Sequence, residues 1–238
     1  MAGSPLTWEF RADNMRMRSR MTRDMWRLWP TLDFTRLDRT YPLWADGVID
    51  LVGRYETEAA HRAGEYLTEF ADEQGAGTPI VYTHQEIPRE QIDASLHAGS
   101  VAAIKRSVGA GKSASVAMNA AFSASSQFMA RLVRDSSRNT VRVTSLFNDS
   151  FGGWRRVGTG DTCAFCSMLI SRDAVYTESS VRFASHGNCN CEAEPADRSL
   201  RKSVDEYQKS DRTVKFNTDQ KQADKERVQA WLETNLVG

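Results

Sequence analysis

The sequence predicts a mainly α-helical protein in which long N-terminal helices are followed by a small α+β unit. Two observations support this. Apolar residues recur at steps of three or four through long stretches of the first 150 residues, which is the period of an amphipathic helix. All four cysteines, by contrast, lie between residues 163 and 191, among short turn-rich runs. The chain accordingly divides into an N-terminal arm (1–40), a helical domain (41–150), a metal-stapled α+β unit (151–195) and a charged tail (196–238).

The composition excludes some classes of protein. The chain has 238 residues with 31 basic and 31 acidic side chains, and a formal charge of zero argues against a dedicated nucleic-acid coat. No apolar run approaches the roughly 18–20 residues that a membrane span needs, and the N-terminus has no hydrophobic core for a signal peptide. We therefore expect folding in a reducing cytosol, where clustered cysteines are more often metal ligands or catalytic thiols than disulfides.

The N-terminal arm interleaves arginines with tryptophans. The residues concerned are Arg11, Arg16, Arg18, Arg20, Arg23, Arg27, Trp8, Trp26 and Trp29. This pattern favours an amphipathic segment that lies on the rest of the protein or gains order on a partner. The second interpretation is an arm that touches nucleic acid, since arginine and aromatic side chains suit phosphate contact and base stacking.

The first strong helix is predicted from Pro42 to about Gln74. Its apolar stripe consists of Trp44, Val48, Leu51, Tyr55, Ala59, Tyr66 and Phe70. Residues 75–77 (Gly-Ala-Gly) end this helix, and an extended stretch begins at Thr78-Pro79. His84 lies in that stretch, and we interpret it as a surface-loop histidine because no ligand-spaced cysteine or carboxylate pair accompanies it.

A shorter helix is predicted over residues 89–106, followed by the turn VGAGKSAS. A phosphate-binding loop would need glycine at position 106, which is Arg106, and a strand before the turn. Ser113 or Ser115 as the N-cap of the next helix is the better interpretation. That helix is alanine-rich and covers about 115–137.

Two further segments connect this helix to the cysteines. Residues 139–149 fit either a strand or a continuation of the helix, and periodicity does not decide between them. Trp154 to Val157 is predicted to form a short β-strand, after a glycine break. Beyond Cys191, the segment from Arg198 to Arg227 is highly charged, and the tail ends in an amphipathic patch expected to fold onto a partner or the body.

The cysteine cluster predicts a structural zinc site. Cys163 and Cys166 form a Cys-x-x-Cys turn, and His186, Cys189 and Cys191 supply one nitrogen and two further sulfurs. Five donors compete for four places, so either Cys189 or Cys191 completes the site and the sequence does not say which. The alternatives are two disulfides, or thiols packed in a small core.

A catalytic zinc is the weaker interpretation, because it would keep an open position for water beside an acid or base. Glu192 and Glu194 are near in sequence, but the His-x-Glu and Pro-Cys-x-x-Cys signature of a deaminase is absent. With four or five strong donors available, a closed structural site is the better prediction.

The window WRRVGTGDTCAFCSMLISRDAVY…FASHGNCNCEAEP resembles the C-terminal region of tailed-phage minor head proteins, the MuF-like or head-morphogenesis group. The matching residues are Cys163, Cys166, His186, Cys189 and Cys191, and Gly187 stands where many relatives have proline. The resemblance implies a virion protein present in few copies in the head near the portal, with a role in assembly or in DNA packaging and exit. The implied partners are the portal protein and capsid or scaffold proteins, with a weak contact to packaged DNA and no membrane.

Some proteins of this group are labelled capsid maturation proteases, which is the alternative function. A serine protease needs a nucleophile and a base oriented by a third group. Ser95, His97 and Ser100 lie close together in sequence, as do Ser185 and His186, but no nucleophile motif surrounds either set. We therefore assign no catalytic residue and expect a non-enzymatic head protein, present in the host cytoplasm during assembly. A host zinc-knuckle protein that binds nucleic acid is disfavoured by the zero net charge.

Overall fold

A computed structural model describes residues 3–83, 87–159, 162–171, 175–177, 183, 191–197 and 226. These residues form a mainly helical protein with a small three-stranded antiparallel sheet. The helices are α1 (Pro5–Leu28), α2 (Leu37–Glu73), α3 (Arg89–Gly99), α4 (Val101–Gly109), α5 (Ala114–Phe147) and α6 (Ala164–Ser171), and the strands are β1 (Trp154–Val157), β2 (Val175–Tyr176) and β3 (Glu192–Pro195).

Helix α1 accounts for most of the predicted N-terminal arm. It begins at the N-cap Ser4, whose hydroxyl accepts the Thr7 backbone N–H at 3.1 Å. Met17, Met21 and Met25 recur at steps of four and are buried against α2 and α5. The segment therefore lies on the body of the protein. Of the two arrangements predicted for the arm, lying on the rest of the protein is confirmed for α1. The expectation that residues 8–29 gain order on a partner is corrected, because the protein's own core already orders them.

Helices α2 and α5 are the long central elements of the bundle. The helix predicted from Pro42 to about Gln74 is confirmed as α2, but it begins earlier, at Leu37, and Pro42 lies inside it. Ser113 is confirmed as the N-cap of α5, accepting the Val116 N–H at 3.4 Å. The undecided 139–149 segment continues α5 as far as Phe147. Its helical form places Val141 in the core and Thr144 within hydrogen-bond distance of the 80–83 segment, with Thr144 Oγ1 accepting the Tyr82 N–H at 2.9 Å.

The predicted helix 89–106 is two helices, α3 and α4, which meet at Ser100. The backbone of Ser100 leaves the helical region (φ −107°, ψ −92°), so α3 ends at Gly99 and α4 begins at Val101. Helix α4, rather than a strand, precedes the glycine turn, so the phosphate-loop interpretation is excluded. Among the residues that the structure describes, no helix combines the length and the apolar character that crossing a membrane requires.

The core has two parts, one at each end of the bundle. One joins the C-terminal half of α1 to α2, α3, α4 and the first half of α5, with Trp29 and Trp44 in edge contact at 5.3 Å. The other joins α1, α2 and α5 to the sheet and contains Phe10, Tyr66 and Trp154. The predicted strand Trp154–Val157 is confirmed as β1, the central strand in the order β2-β1-β3. The sheet thus shares its apolar core with the long helices.

Candidate metal centre

The Cys-x-x-Cys turn lies at the start of α6. The carbonyl of Cys163 accepts the Ser167 N–H at 2.9 Å, which is the first hydrogen bond of the helix. The Cys163 sulfur accepts the Cys166 N–H at 3.5 Å, as a capping side chain does. Cys163 is exposed and Cys166 is buried. The turn therefore places one sulfur at the surface and the other in the core below it.

Cys191 directly precedes β3, and its side chain lies beside the buried Cys166. Its Sγ lies 3.5 Å from the Sγ of Cys166, and no disulfide joins the three described cysteines to one another. Two sulfurs that share one tetrahedral zinc at about 2.3 Å would lie roughly 3.8 Å apart. The spacing of Cys166 and Cys191 is therefore close to what a common metal ion would require.

Arg156, on β1, points its guanidinium at the two buried sulfurs. Its Nη1 lies 3.0 Å from the Sγ of Cys191 and 3.7 Å from that of Cys166. The same side chain donates to the carbonyl of Phe183 and lies over that ring at 3.9 Å. A buried cation beside sulfur favours thiolate over thiol, which is the form that binds a metal. Phe183, which Arg156 contacts in this way, lies three residues before His186 in the sequence.

Arg138 of α5 ties the ligand-bearing strand to the helical bundle. It is fully buried; its Nε lies 3.3 Å from Glu192 Oε2, and its Nη2 donates to the carbonyl of Cys191. Its guanidinium lies 4.7 Å from the ring of Phe183. Phe183 thus contacts two arginines, Arg138 and Arg156, and both of them also contact Cys191.

Glu194 of β3 joins the sheet to the start of α1. Its carboxylate accepts the Ser4 backbone N–H at 2.7 Å, the Thr7 hydroxyl, and Arg155 Nε at 2.8 Å. The Thr7 hydroxyl also lies 2.8 Å from the phenol of Tyr66, and burial, together with the nearby Glu194 carboxylate, raises the pKa of Tyr66 well above its usual value. The phenol therefore stays protonated and remains a hydrogen-bond donor.

The structure brings some of the predicted ligands together. Cys166 and Cys191 meet, and Cys163 caps the same helix start, whereas His186 and Cys189 lie outside the described residues. Within the described part of the chain, no group of three His, Cys, Asp or Glu side chains is arranged to hold a metal ion. The complete ligand set, including the choice between Cys189 and Cys191, stays a prediction.

Sequence reasoning did not identify Arg138 and Arg156 as part of the centre. Glu192 and Glu194 were considered as an acid or base beside a catalytic zinc, but in the structure each is ion-paired, with Arg138 and Arg155 respectively. One signal was available for Arg156. It alternates with Trp154 on a short strand, so both side chains share a face, and Trp154 is buried.

Two of the serines named for a protease, Ser95 and Ser100, lie in the described part of the chain, and both donate hydrogen bonds to backbone carbonyls. Ser95 donates to the carbonyl of Gln91 at 2.9 Å, and Ser100 donates to that of Leu96 at 2.6 Å. The His97 ring packs edge-on against Tyr41 at 5.1 Å. Both hydroxyls thus make local helix contacts. Ser185 and His186, as well as His84, lie outside the described residues.

The comparison with protein-family models gives one match. The family is described as VG15 protein, and its model matches residues 5–217, which include both the helical bundle and the cysteine window. No curated protein and no solved structure matches the chain. The family is one of phage or viral gene proteins, so the match indicates a phage protein. On the extent of this match, the chain belongs to the VG15 protein family.

Proposed function

We propose that this phage protein is a MuF-like minor capsid protein that acts in head morphogenesis. It works through contacts with the portal protein and with capsid or scaffold proteins, during head assembly and during DNA packaging or exit. The observation that carries the proposal is the VG15 family match over residues 5–217, a range that includes the cysteine window resembling tailed-phage minor head proteins. Its proposed place is the head interior or the vicinity of the portal.

The described contacts favour docking over turnover of a substrate. A serine nucleophile would need its hydroxyl directed at a base, and Ser95 and Ser100 instead bond to helix carbonyls. The buried charges around the sheet form ion pairs between elements: Arg138–Glu192 joins α5 to β3, and Arg155–Glu194 joins β1 to β3. The capsid maturation protease is the second candidate. Ser185 and His186 neighbour each other in sequence, but His186 is also a proposed zinc ligand and could not serve as a base while it binds the metal.

The cysteine cluster is proposed to hold a structural zinc ion. Its ligands would be Cys163, Cys166, His186 and one of Cys189 or Cys191. Three thiols and an imidazole suit the tetrahedral sulfur and nitrogen coordination of zinc. The 3.5 Å spacing of the Cys166 and Cys191 sulfurs, with Arg156 beside them, supports this assignment. The bound ion would supply a cross-link between α6 and β3, and no chemistry beyond that is assigned to it.

The function is tested by complementing a phage that lacks this gene. We expect the deletion to stop production of infectious particles, and Ser95→Ala, Ser100→Ala and Ser185→Ala to restore both titre and normal capsid-protein size. The readouts are plaque titre and the masses of the capsid proteins in purified particles. If Ser185→Ala folds and enters the particle but leaves the capsid protein unprocessed, the protease candidate replaces the docking function.

A further inference from the structure

The two ends of the helical bundle carry opposite charges. Residues 63–83 contain four carboxylates and no lysine or arginine, whereas residues 94–134 contain no carboxylate at all. We call the first the acidic end, formed by the exposed side chains Glu65, Glu69, Asp72 and Glu73 on the last turns of α2. The basic end is formed by the exposed side chains Lys105 and Arg106 on α4 and Lys112 in the turn between α4 and α5.

These charges lie far apart on the molecule. Lys105 Nζ lies 2.6 Å from Asp38 Oδ1, which places the basic end beside the first turn of α2. The acidic end occupies the opposite terminus of the same helix. At about 1.5 Å per residue, the distance from Asp38 to Glu69 along α2 is roughly 45 Å. The two surfaces therefore cannot contact each other within one chain.

Each end also exposes large apolar side chains. At the acidic end, Ile80 is 69% exposed, Tyr82 39% and Phe147 61%, and the rings of Tyr82 and Phe147 lie 6.0 Å apart. At the basic end, Val108 is 38% exposed and Val116 52%. Apolar side chains in the middle of a charged rim are the usual composition of a protein contact surface.

We propose that the acidic end of one copy docks on the basic end of a second copy. The chain has zero net charge and carries complementary surfaces at its opposite ends. Two copies therefore attract each other when an acidic end meets a basic end, and repel each other when two acidic ends or two basic ends meet. Such a contact is heterologous, because it joins different surfaces of the two copies. After each addition, the assembly still has one unoccupied acidic end and one unoccupied basic end. The assembly therefore grows into a ring or an open filament. This inference goes beyond contact with portal and capsid, and it holds even if the protein does not enter heads.

Charge-reversal variants of the full-length protein test the proposal by sedimentation equilibrium at low ionic strength. Glu69→Lys/Asp72→Lys/Glu73→Lys makes both ends basic, and Arg106→Glu/Lys112→Glu makes both acidic. We expect each variant to be monomeric where the wild type associates. The chain that carries all five changes should associate again, because its ends are once more complementary. All of these residues are exposed, so the variants should fold, and circular dichroism checks this.

Arg54→Glu is the matched control, since Arg54 is exposed in the middle of α2. It should associate like the wild type. Raising NaCl from about 0.05 to 0.5 M should weaken wild-type association about tenfold, because exposed charges are screened. The proposal is overturned if the wild type stays monomeric, or if the variant with all five changes does not regain association. It is also overturned if a labelled DNA duplex binds the basic end of a wild type that does not self-associate.

Discussion

Replacing Arg138 by Met is expected to lower the free energy of unfolding by about 3–5 kcal/mol, because it removes the cation that faces a buried carboxylate. Arg138 is fully buried and Glu192 nearly so, and the pair joins α5 to β3 at 3.3 Å. Urea denaturation followed by circular dichroism measures the loss. The double variant Arg138→Met/Glu192→Met should recover most of it, since neither charge then remains in the core.

Arg131→Met provides the matched control for this prediction. Arg131 lies two turns earlier on α5, is only partly buried, and stacks over Phe128 at 5.3 Å. Its replacement should cost about 1 kcal/mol or less, as expected for an isolated cation–π contact. Equal losses for Arg131→Met and Arg138→Met would show that the Glu192 pair has no special role in attaching the sheet.

Removal of the proposed zinc ion is the second change with a large expected effect. The purified protein should carry about one zinc ion per chain by elemental analysis. Stripping it with a strong chelator should speed hydrogen exchange in β1 and β3. Exchange should also rise in the first turns of α1 and the last turns of α2, because Cys166 and Cys191 share their core with Phe10, Tyr66 and Phe70. Exchange near Val48 and Met129, in the other core, should change little.

Cys166→Ser should reproduce this pattern without a chelator, since it removes one proposed ligand from the buried side of the site. A substitution on the exposed face of α6, Phe165→Ser, is its control and should leave both metal content and exchange unchanged. Metal-free protein that is fully folded and holds a disulfide between Cys166 and Cys191 would refute the zinc site. A uniform rise in exchange along the whole chain would refute a local role for the metal.

The sequence predicted the long helices and β1 because their signals are local. The apolar stripe of α2 and the capping serine of α5 are legible over a few turns. The break at Ser100 was not predicted although Gly99 directly precedes it, because a single glycine is tolerated inside a helical pattern. The packing of α1 on the rest of the protein was predicted only as one of two alternatives. The apolar stripe of α1, formed by Met17, Met21 and Met25, is interleaved with arginines that point to solvent. The sequence therefore did not distinguish a helix that packs on the core from an arm that orders on a partner.

Of the predicted cysteine cluster, the structure shows Cys166 beside Cys191, and the charged side chains that support them were not predicted. Because all four cysteines lie between residues 163 and 191, their spacing alone predicts that they cluster. Arg138 lies 53 residues before Cys191 in sequence, and only the packing of α5 on β3 brings the two together. The same limit applies to Glu194, whose partner Ser4 is 190 residues away. Long-range ion pairs depend on the complete fold, which residue spacing does not encode.

The most direct test of a head-morphogenesis role is mass spectrometry of phage heads purified through a density gradient. The proposed function predicts peptides of this protein in the heads, at a low and constant ratio to the major capsid protein. A lysate that contains the protein while its purified heads contain none would contradict the role assigned here.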